Sequence, residues 1–192
     1  KFTDSGIRVI CVTNITESGI DFSLLEKYVS EEEFRRSYQH FTVKPGDILL
    51  SSSGNSWGKV AIYEDHECVI LNTSTIRLNE LPGAPLSRDF IALLLRSISV
   101  REQLSLAMTG SCQPNFGPTH LSSLAIAIPS TSEQVKIVAR LREELDALNQ
   151  LWNQAQMSVE LLQERRAALI SAAVTGKIDV RDFVAKPDTV ST

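Results

Sequence analysis

Residues 133–174 read EQVKIVARLREELDALNQLWNQAQMSVELLQERRAALISAAV, and this stretch decides the architecture of the chain. Its apolar positions are separated by alternating steps of three and four residues, a pattern that Arg166 interrupts. That spacing is typical of a seam at which two helices wind around each other, whereas a helix on a globular core usually shows a wider apolar face. The positions that we expect to pair with another helix are Val138, Leu141, Leu145, Leu148, Trp152, Ala155, Val159, Leu162 and Leu169.

The length of this helix indicates that its apolar seam needs a second helix to cover it. At 1.5 Å per residue it extends roughly 60 Å, which is more than a compact domain formed by the preceding residues covers. We therefore expect the helix to project. Thr131 with Gln134 predicts a capping box at its start, and Gly176 predicts a C′ glycine at its end. The alternative is a bundle helix within a larger fold.

The residues before the helix predict a β-rich domain. Ser30, Ser87 and Ser99 predict the N-caps of short helices, the last of them in a capping box with Glu102. Apolar runs between turn residues predict strands at 7–12, 48–50, 60–63, 68–71, 75–78 and 125–128. A helical turn is predicted at 119–124, before the last of these strands. The predicted fold class is α+β, with a compact β-rich domain and small helices over 1–130, the long coiled-coil helix over 131–176, and a short strand at 178–180 with a flexible tail over 177–192.

The composition narrows the class of protein. The 192 residues are 43% hydrophobic and carry a formal net charge of −4, which argues against a nonspecific nucleic-acid binder. A specific binder with a local basic face and a basic partner agrees with this charge. The sequence lacks a long apolar span and a signal-like start, so we expect a soluble, cytoplasmic protein. Cys11, Cys68 and Cys112 lack metal-ligand spacing, and we predict reduced cysteines and no metal site.

Motifs for catalysis are missing from the sequence. It contains no Gly-x-Gly cofactor loop, no Walker lysine loop and no Gly-x-Ser-x-Gly nucleophile elbow. The Asp/Asn-Pro-Pro-aromatic loop of adenine methyltransferases is absent, because the nearest segment, QPNF at 113–116, has a different order. No lysine follows an acidic residue at the two-residue spacing common in metal-dependent nucleases. We therefore predict a protein that is not an enzyme and uses no cofactor.

Four groups of short motifs lie along the chain in a defined order and frame the long helix. They are VKPGDILL at 43–50 with GKV at 58–60, TG at 109–110 with QPNF at 113–116, LAIAIP at 124–129 followed by EQ at 133–134, and RRAALISAAVTGKIDV at 165–180. In this order and spacing they resemble the DNA-specificity subunit of type I restriction-modification systems. The resemblance covers the chain from about Ile7 to about Val180.

The resemblance implies a target recognition domain followed by a long conserved-region helix. A full subunit of that family usually contains two such units, each reading one half of a split double-stranded DNA target, and their helices pair antiparallel as a spacer. The family's subunit is not catalytic, but recruits modification subunits that use S-adenosylmethionine and, with them, restriction subunits. This chain holds one unit, so we expect the C-terminal half of a subunit or a half-sized subunit. Its helix would pair with the other helix of that subunit or with a second copy.

Two other functions stay open at this point. One is a dimerisation scaffold that does not bind DNA, and the other is the recognition domain of a fused restriction-methyltransferase.

Candidate DNA contacts lie in two polar loops and on scattered cations. In loop 51–59 the hydroxyl, amide and ammonium groups suit phosphate oxygens, although the loop also fits an ordinary sheet connection with Trp57 in the core. In loop 109–118 two carboxamides suit adenine edges, or else stabilise a turn beside Pro114. For the arginines and for Lys44, solvated surface is the default alternative. The candidates are Ser52, Ser53, Asn55, Lys59, Gln113 and Asn115, with Arg35, Arg36, Lys44 and Arg77 as further phosphate contacts.

Overall fold

The structure is a computed structural model that describes residues 2–81, 83–108 and 114–179. The chain divides into two units, Lys1–Ala139 and Arg140–Thr192. The first unit combines short strands with small helices and also holds the first turns of a long helix, while the described part of the second unit continues that helix. The domain limits predicted at 130 and 176 stay predictions, and the predicted tail from residue 180 onwards lies outside the described residues.

The elements are short except for the last helix. Among the described residues the strands are β1 (Ile7–Ile10), β2 (Ile15–Thr16), β3 (Gly19–Ile20), β4 (Tyr28–Val29), β5 (Thr42–Val43), β6 (Ile48–Ser51), β7 (Val60–Ile62), β8 (Val69–Leu71) and β9 (Thr75–Leu78). The helices are α1 (Glu31–Glu33), which continues as a π-helical segment (Phe34–Tyr38), α2 (Arg88–Arg96), α3 (Ile98–Ala107), α4 (Pro118–Ser122) and α5 (Thr131–Val174).

Two sheets carry the core of the first unit. The larger has the strand order β4-β1-β8-β5, with β1 and β8 parallel and the other pairs antiparallel. The smaller is antiparallel, with β6 between β7 and β9, and its register places Ser51 opposite Thr75. Strand β6 is buried along its whole length. Leu49 packs into one apolar cluster, while Ile48 and Leu50 pack with α2 and α3 in another.

Most of the predicted strands form close to the predicted positions, but the first is shorter than expected. The chain leaves the sheet after Ile10 and makes a 3-10 turn at Val12–Asn14. The fully buried Asn14 side chain explains this turn. It accepts a hydrogen bond from the Cys11 N–H at 2.9 Å and donates to backbone carbonyls of the following loop. A side chain that bonds the local backbone in this way competes with a strand ladder.

Two further strand predictions are wrong. Residues 125–128 form no strand, because the Gln103 carboxamide takes the place of a neighbouring strand. Its Nε2 donates to the Ala125 carbonyl at 3.0 Å, and its Oε1 accepts from the Ala125 N–H at 2.8 Å. Residues 178 and 179 also form no strand, since the Ile178 N–H bonds back to Ala172 at the end of α5. Val180 lies outside the described residues.

The serine caps were predicted with one error. Ser30 and Ser87 cap α1 and α2 as expected, each accepting a backbone N–H three residues later. The predicted cap at Ser99 is wrong, because Ser97 caps α3 and accepts from the Val100 N–H at 3.3 Å. Ser97 is also the C-cap of α2, so α3 starts earlier than the predicted capping box of Ser99 and Glu102 suggests.

The start of α5 is also capped one residue earlier than predicted. Ser130, rather than Thr131, forms the capping box, and its backbone N–H and hydroxyl both donate to the Glu133 carboxylate at 2.9 and 2.7 Å. These hydrogen bonds lower the pKa of Glu133. The predicted box partner, Gln134, is fully buried instead. Gln134 instead fixes the first turn of α5 to the domain.

The C-terminal end of α5 agrees with the prediction. Gly176 has φ +72°, the left-handed conformation that glycine adopts without steric cost. The Gly176 N–H bonds to the Ala173 carbonyl at 3.2 Å, and the Lys177 N–H bonds to the Ala172 carbonyl at 2.8 Å. This pair of bonds is the Schellman motif that closes helices with a C′ glycine.

The apolar seam of α5 is buried at its start and exposed beyond it. Val138, within the first unit, is 7% exposed, whereas Trp152 is 72% exposed and Leu162 is 63% exposed. An apolar stripe of this length left open to water is costly, and pairing with another helix would remove the cost. Among the described residues, no helix combines the length and apolarity needed to cross a membrane.

Gln134→Ala should lower the free energy of unfolding by about 2–4 kcal/mol, measured by denaturant titration followed by circular dichroism. Gln134 Oε1 accepts from the Ser87 N–H at 2.9 Å, and Nε2 donates to the carbonyls of Pro85 and Pro129 at 2.6 and 3.0 Å. Alanine removes all three hydrogen bonds from the partly buried contact between α5 and these backbone groups. Gln150→Ala, at an exposed position of the same helix, is the matched control and should change stability little. Equal effects of the two substitutions would contradict the prediction.

Candidate nucleic-acid interface

Residues 52–54 of the first polar loop lie beside residues 114–116 of the second. Ser53 and Asn115 form an isolated antiparallel bridge, and the Phe116 N–H donates to the Ser52 carbonyl at 3.1 Å. Residues of the first loop directly follow β6, so the bridge places Asn115 at the same end of the small sheet. Two candidates that are far apart in sequence, Ser53 and Asn115, are thereby brought together.

A third loop, residues 72–74 between β8 and β9, contacts the first loop. The sequence analysis did not predict this contact. The backbone N–H and the hydroxyl of Ser52 both donate to the Ser74 carbonyl, at 3.0 and 2.9 Å. The sequence carries a weak signal for this loop, the polar run NTST at 72–75 between two apolar strands. Such a run is common in tight turns, and strand pairing alone brings it to the loops at 52 and 115.

An open polar cleft of about 310 Å³ lies at these loops and is lined by Ser53, Thr73, Ser74 and Asn115. We call it the neutral cleft, because each of these side chains is an uncharged hydroxyl or carboxamide. Asn115 and Thr73 are exposed, and Ser53 and Ser74 are half-buried. All four offer hydrogen bonds without carrying a charge.

An aromatic stack supports the floor of the loops. Trp57 meets Phe116 edge to face, with 6.2 Å between the ring centroids and 85° between the planes. The Arg101 guanidinium lies 4.9 Å from the Trp57 ring centre, a cation–π contact, and its Nη1 donates to the Gly58 carbonyl at 3.5 Å. Trp57 is therefore half-buried and packs against the core cluster that contains Phe116. Through Phe116, which is 3% exposed, it also fixes the backbone beside Asn115.

Gly58 closes the loop where it returns to β7. Its φ of +78° favours glycine, and an added Cβ would lie 3.0 Å from Nη1 of Arg101. A larger residue would therefore strain the turn and push against the cation that packs on Trp57.

The remaining candidate cations lie in different places. Lys59 is half-buried at the end of the small sheet that carries the neutral cleft, and its carbonyl accepts the Ser51 N–H. Arg77 lies 3.8 Å from the Asp47 carboxylate and donates to the Thr42 carbonyl, so internal contacts hold its guanidinium. Lys44 is exposed in the turn before β6, at the strand end away from the cleft.

Three more candidates do not line the neutral cleft. Arg35 forms an exposed pair with Glu31 at 2.9 Å, and Arg36 is exposed beside it in the π-helical segment. Asn55 is exposed in the 3-10 turn that follows Ser53. Gln113 lies outside the described residues.

A second, larger cleft of about 500 Å³ has a different character, because its lining includes the carboxylates of Glu17, Glu64 and Asp65. Burial raises the pKa of Tyr63, in the same lining, to about 12. The Tyr63 hydroxyl donates to the Glu67 carbonyl at 2.9 Å. A carboxylate-rich wall repels phosphates, so this cleft is the less suitable of the two for nucleic acid. Within the described residues, no group of His, Cys, Asp and Glu side chains could hold a metal ion.

Comparison with known protein families decides the identity of the domain. Residues 9–161 match the family described as the type I restriction modification DNA specificity domain, which spans most of the chain. The chain belongs to this family. The type I specificity domain therefore contains all four residues that line the neutral cleft and most of α5.

Known proteins resemble this specificity domain at low sequence identity. The specificity subunit of type I restriction enzyme MjaVIII from Methanocaldococcus jannaschii is 20% identical over 186 residues, which are 95% of this chain and 42% of that protein. The HsdS subunit from Thermoanaerobacter tengcongensis aligns with a TM-score of 0.56 and 20% identity, over 81% of this chain and 40% of that one.

A structure titled for complex assembly and conformational transition of the type I R-M system contains a chain with a TM-score of 0.62 and 18% identity, over 94% of this chain and 45% of that one. The specificity domain thus spans about two fifths of the length of these relatives. The likeness confirms the predicted α+β fold.

Trp57→Ala in the specificity domain should lower the free energy of unfolding by about 2–4 kcal/mol, because it removes a large side chain from the cluster around Phe116. The chain has a second tryptophan, Trp152, which is 72% exposed on α5. Trp152→Ala is therefore the matched control, and it should leave the unfolding of the first unit nearly unchanged. Denaturant titration followed by circular dichroism measures both. If the first unit of Trp57→Ala unfolds at the same denaturant concentration as that of the wild type, the aromatic stack is not a structural support.

Proposed function

We propose that this specificity domain recognises a specific sequence of double-stranded DNA and reads one half of a split target. The observation that carries the proposal is the neutral cleft, since a domain of a DNA-specificity family joins three loops around side chains suited to base edges. The chain spans about two fifths of its longer relatives, which agrees with one half of a two-part reader. In this proposal the domain recognises DNA, and partner subunits catalyse the reactions on it.

Affinity is expected to depend on a partner. The chain carries a net charge of −4, while phosphate neutralisation supplies a large share of the affinity of most DNA-binding proteins. The domain alone would therefore bind DNA weakly. Modification subunits in the cytoplasm would add cationic surface, and restriction subunits would join through them. The neutral cleft then contributes sequence preference, and Lys59 contributes a local phosphate contact.

We also propose that α5 pairs antiparallel with a second helix, from the other half of the subunit or from a second copy. The exposed seam supports this, and its spacing suits an antiparallel crossing near Ala155. Trp152 and Val159 lie at equal distances on either side of the peptide between residues 155 and 156, so each would meet the copy of the other, a large residue against a smaller one. This arrangement separates two recognition domains along the DNA, whereas a parallel pair would crowd them.

Lys59→Ala should weaken DNA binding by about three- to tenfold for every sequence and reduce the slope of log affinity against log salt by about 0.9. The reason is the loss of one phosphate contact without any change in base contacts. Fluorescence anisotropy with the full chain and its modification partner, at several salt concentrations, measures both quantities. Lys136→Ala, an exposed lysine of α5, is the control and should bind like the wild type. A loss confined to one DNA sequence would contradict a phosphate contact.

Trp152→Asp should lower the apparent mass of the chain in solution while the recognition domain stays folded, because a carboxylate on the seam opposes helix pairing. Analytical ultracentrifugation gives the mass, and circular dichroism checks the fold. Gln150→Asp places the same charge on the opposite side of the helix and should leave the mass unchanged. If the wild-type chain is monomeric at every concentration, or if labels at Val138 of two copies lie close together, antiparallel self-pairing is wrong.

A further inference from the structure

We propose that the neutral cleft reads the major-groove edge of one A·T base pair, with Asn115 on the adenine and Thr73 on the thymine methyl group. The inference rests on the proposed DNA recognition and adds which base pair the domain reads, and with which residues. Thr73 belongs to the loop that the sequence did not single out.

The absence of charged side chains in the cleft limits which groups of the DNA it can contact. Contacts to phosphate and to guanine favour arginine or lysine, and contacts to the amino group of cytosine favour a carboxylate. None of the described residues that line the cleft carries either kind of charge. A carboxamide pairs in bidentate fashion with N6 and N7 of adenine, and a threonine methyl packs on the methyl of thymine. These two groups lie on the same edge of one A·T pair, so a single cleft can contact both.

The Asn115 carboxamide is placed for such a contact. Its backbone is fixed by the bridge to Ser53, and the Gly54 N–H donates to the carbonyl of the preceding residue, Pro114, at 3.1 Å. The side chain itself is exposed, and no hydrogen bond from a described residue engages its amide. Both its donor and its acceptor are thus available on a rigid backbone, which reduces the entropy that binding must overcome.

Thr73 is positioned by its neighbour. The Thr73 hydroxyl donates to Oδ1 of Asn72 at 3.1 Å, so its polar group is engaged and its methyl is the group left for a ligand. The Asn72 backbone N–H bonds to the Ile10 carbonyl at 2.9 Å, and its Nδ2 bonds to Sγ of Cys11 at 3.5 Å. Asn72 is therefore a positioning residue that fixes the loop to the end of β1.

The test uses the full chain assembled with its modification partner. A randomised duplex pool first yields the preferred sequence. Each adenine of that sequence is then replaced by 7-deazaadenine, which lacks the N7 acceptor, and each thymine by uracil, which lacks the methyl. At one A·T pair, each replacement should weaken wild-type binding by about tenfold, which corresponds to about 1.4 kcal/mol.

The variants should separate the two contacts. Asn115→Ala should become insensitive to 7-deazaadenine at that pair while it keeps the response to uracil. Thr73→Ser, which retains the hydroxyl and loses the methyl, should show the reverse. Asn115→Asp keeps the size of the side chain but loses the amide donor, and it should lose the preference for adenine even if the alanine variant folds poorly. Asn79→Ala, an exposed carboxamide beyond the opposite end of β9, is the control and should respond like the wild type.

The outcomes distinguish this inference from the function on which it rests. If the assembled wild type selects no sequence, the proposed DNA recognition fails. If it selects a sequence but Asn115→Ala and Thr73→Ser respond to both base analogues as the wild type does, DNA recognition stands and the assignment of the cleft is overturned. The crossed pattern of lost and retained responses supports the assignment, because a variant with only a structural defect would weaken binding to every analogue alike.

Discussion

Burial of strand β6 on both of its faces is the constraint on which the recognition domain depends. Its residues Ile48–Ser51 are inaccessible to solvent, and they pair with β7 on one side and with β9 on the other. Because side chains alternate along a strand, β6 ties two apolar clusters together. The chain that leaves β6 is consequently held where it ends, and the end of this strand is the place at which all three loops of the neutral cleft meet.

The cleft also illustrates a division between affinity and specificity. Uncharged side chains line it, while the chain as a whole is acidic and a larger cleft carries carboxylates. In the proposed function, the domain would gain little affinity from phosphates and would gain specificity from the match between hydrogen-bonding groups and base edges. A partner subunit would then supply the missing cationic contacts.

How far the sequence predicts the site differs from residue to residue. Ser53 and Asn115 stand out as polar residues in unusual loops, but nothing in the sequence places them together, because the bridge between them depends on the packing of Phe116 against Trp57. Thr73 looks like an ordinary turn residue. Arg77 looks like a surface cation, yet Asp47 and the Thr42 carbonyl hold it. The chain from residue 125 looks like a strand, yet a glutamine side chain pairs with it.

Periodic and local features are what the sequence determined by itself. The seam of α5, its Gly176 end, the buried strands and most serine caps follow from side-chain spacing and backbone preference within a few residues. The tertiary structure alone decided that Gln134 anchors α5 and that three separate loops form one cleft. The physical reason is that a hydrogen bond between distant residues leaves no periodic trace in the sequence. It forms only after burial of the apolar strands has fixed where the loops lie.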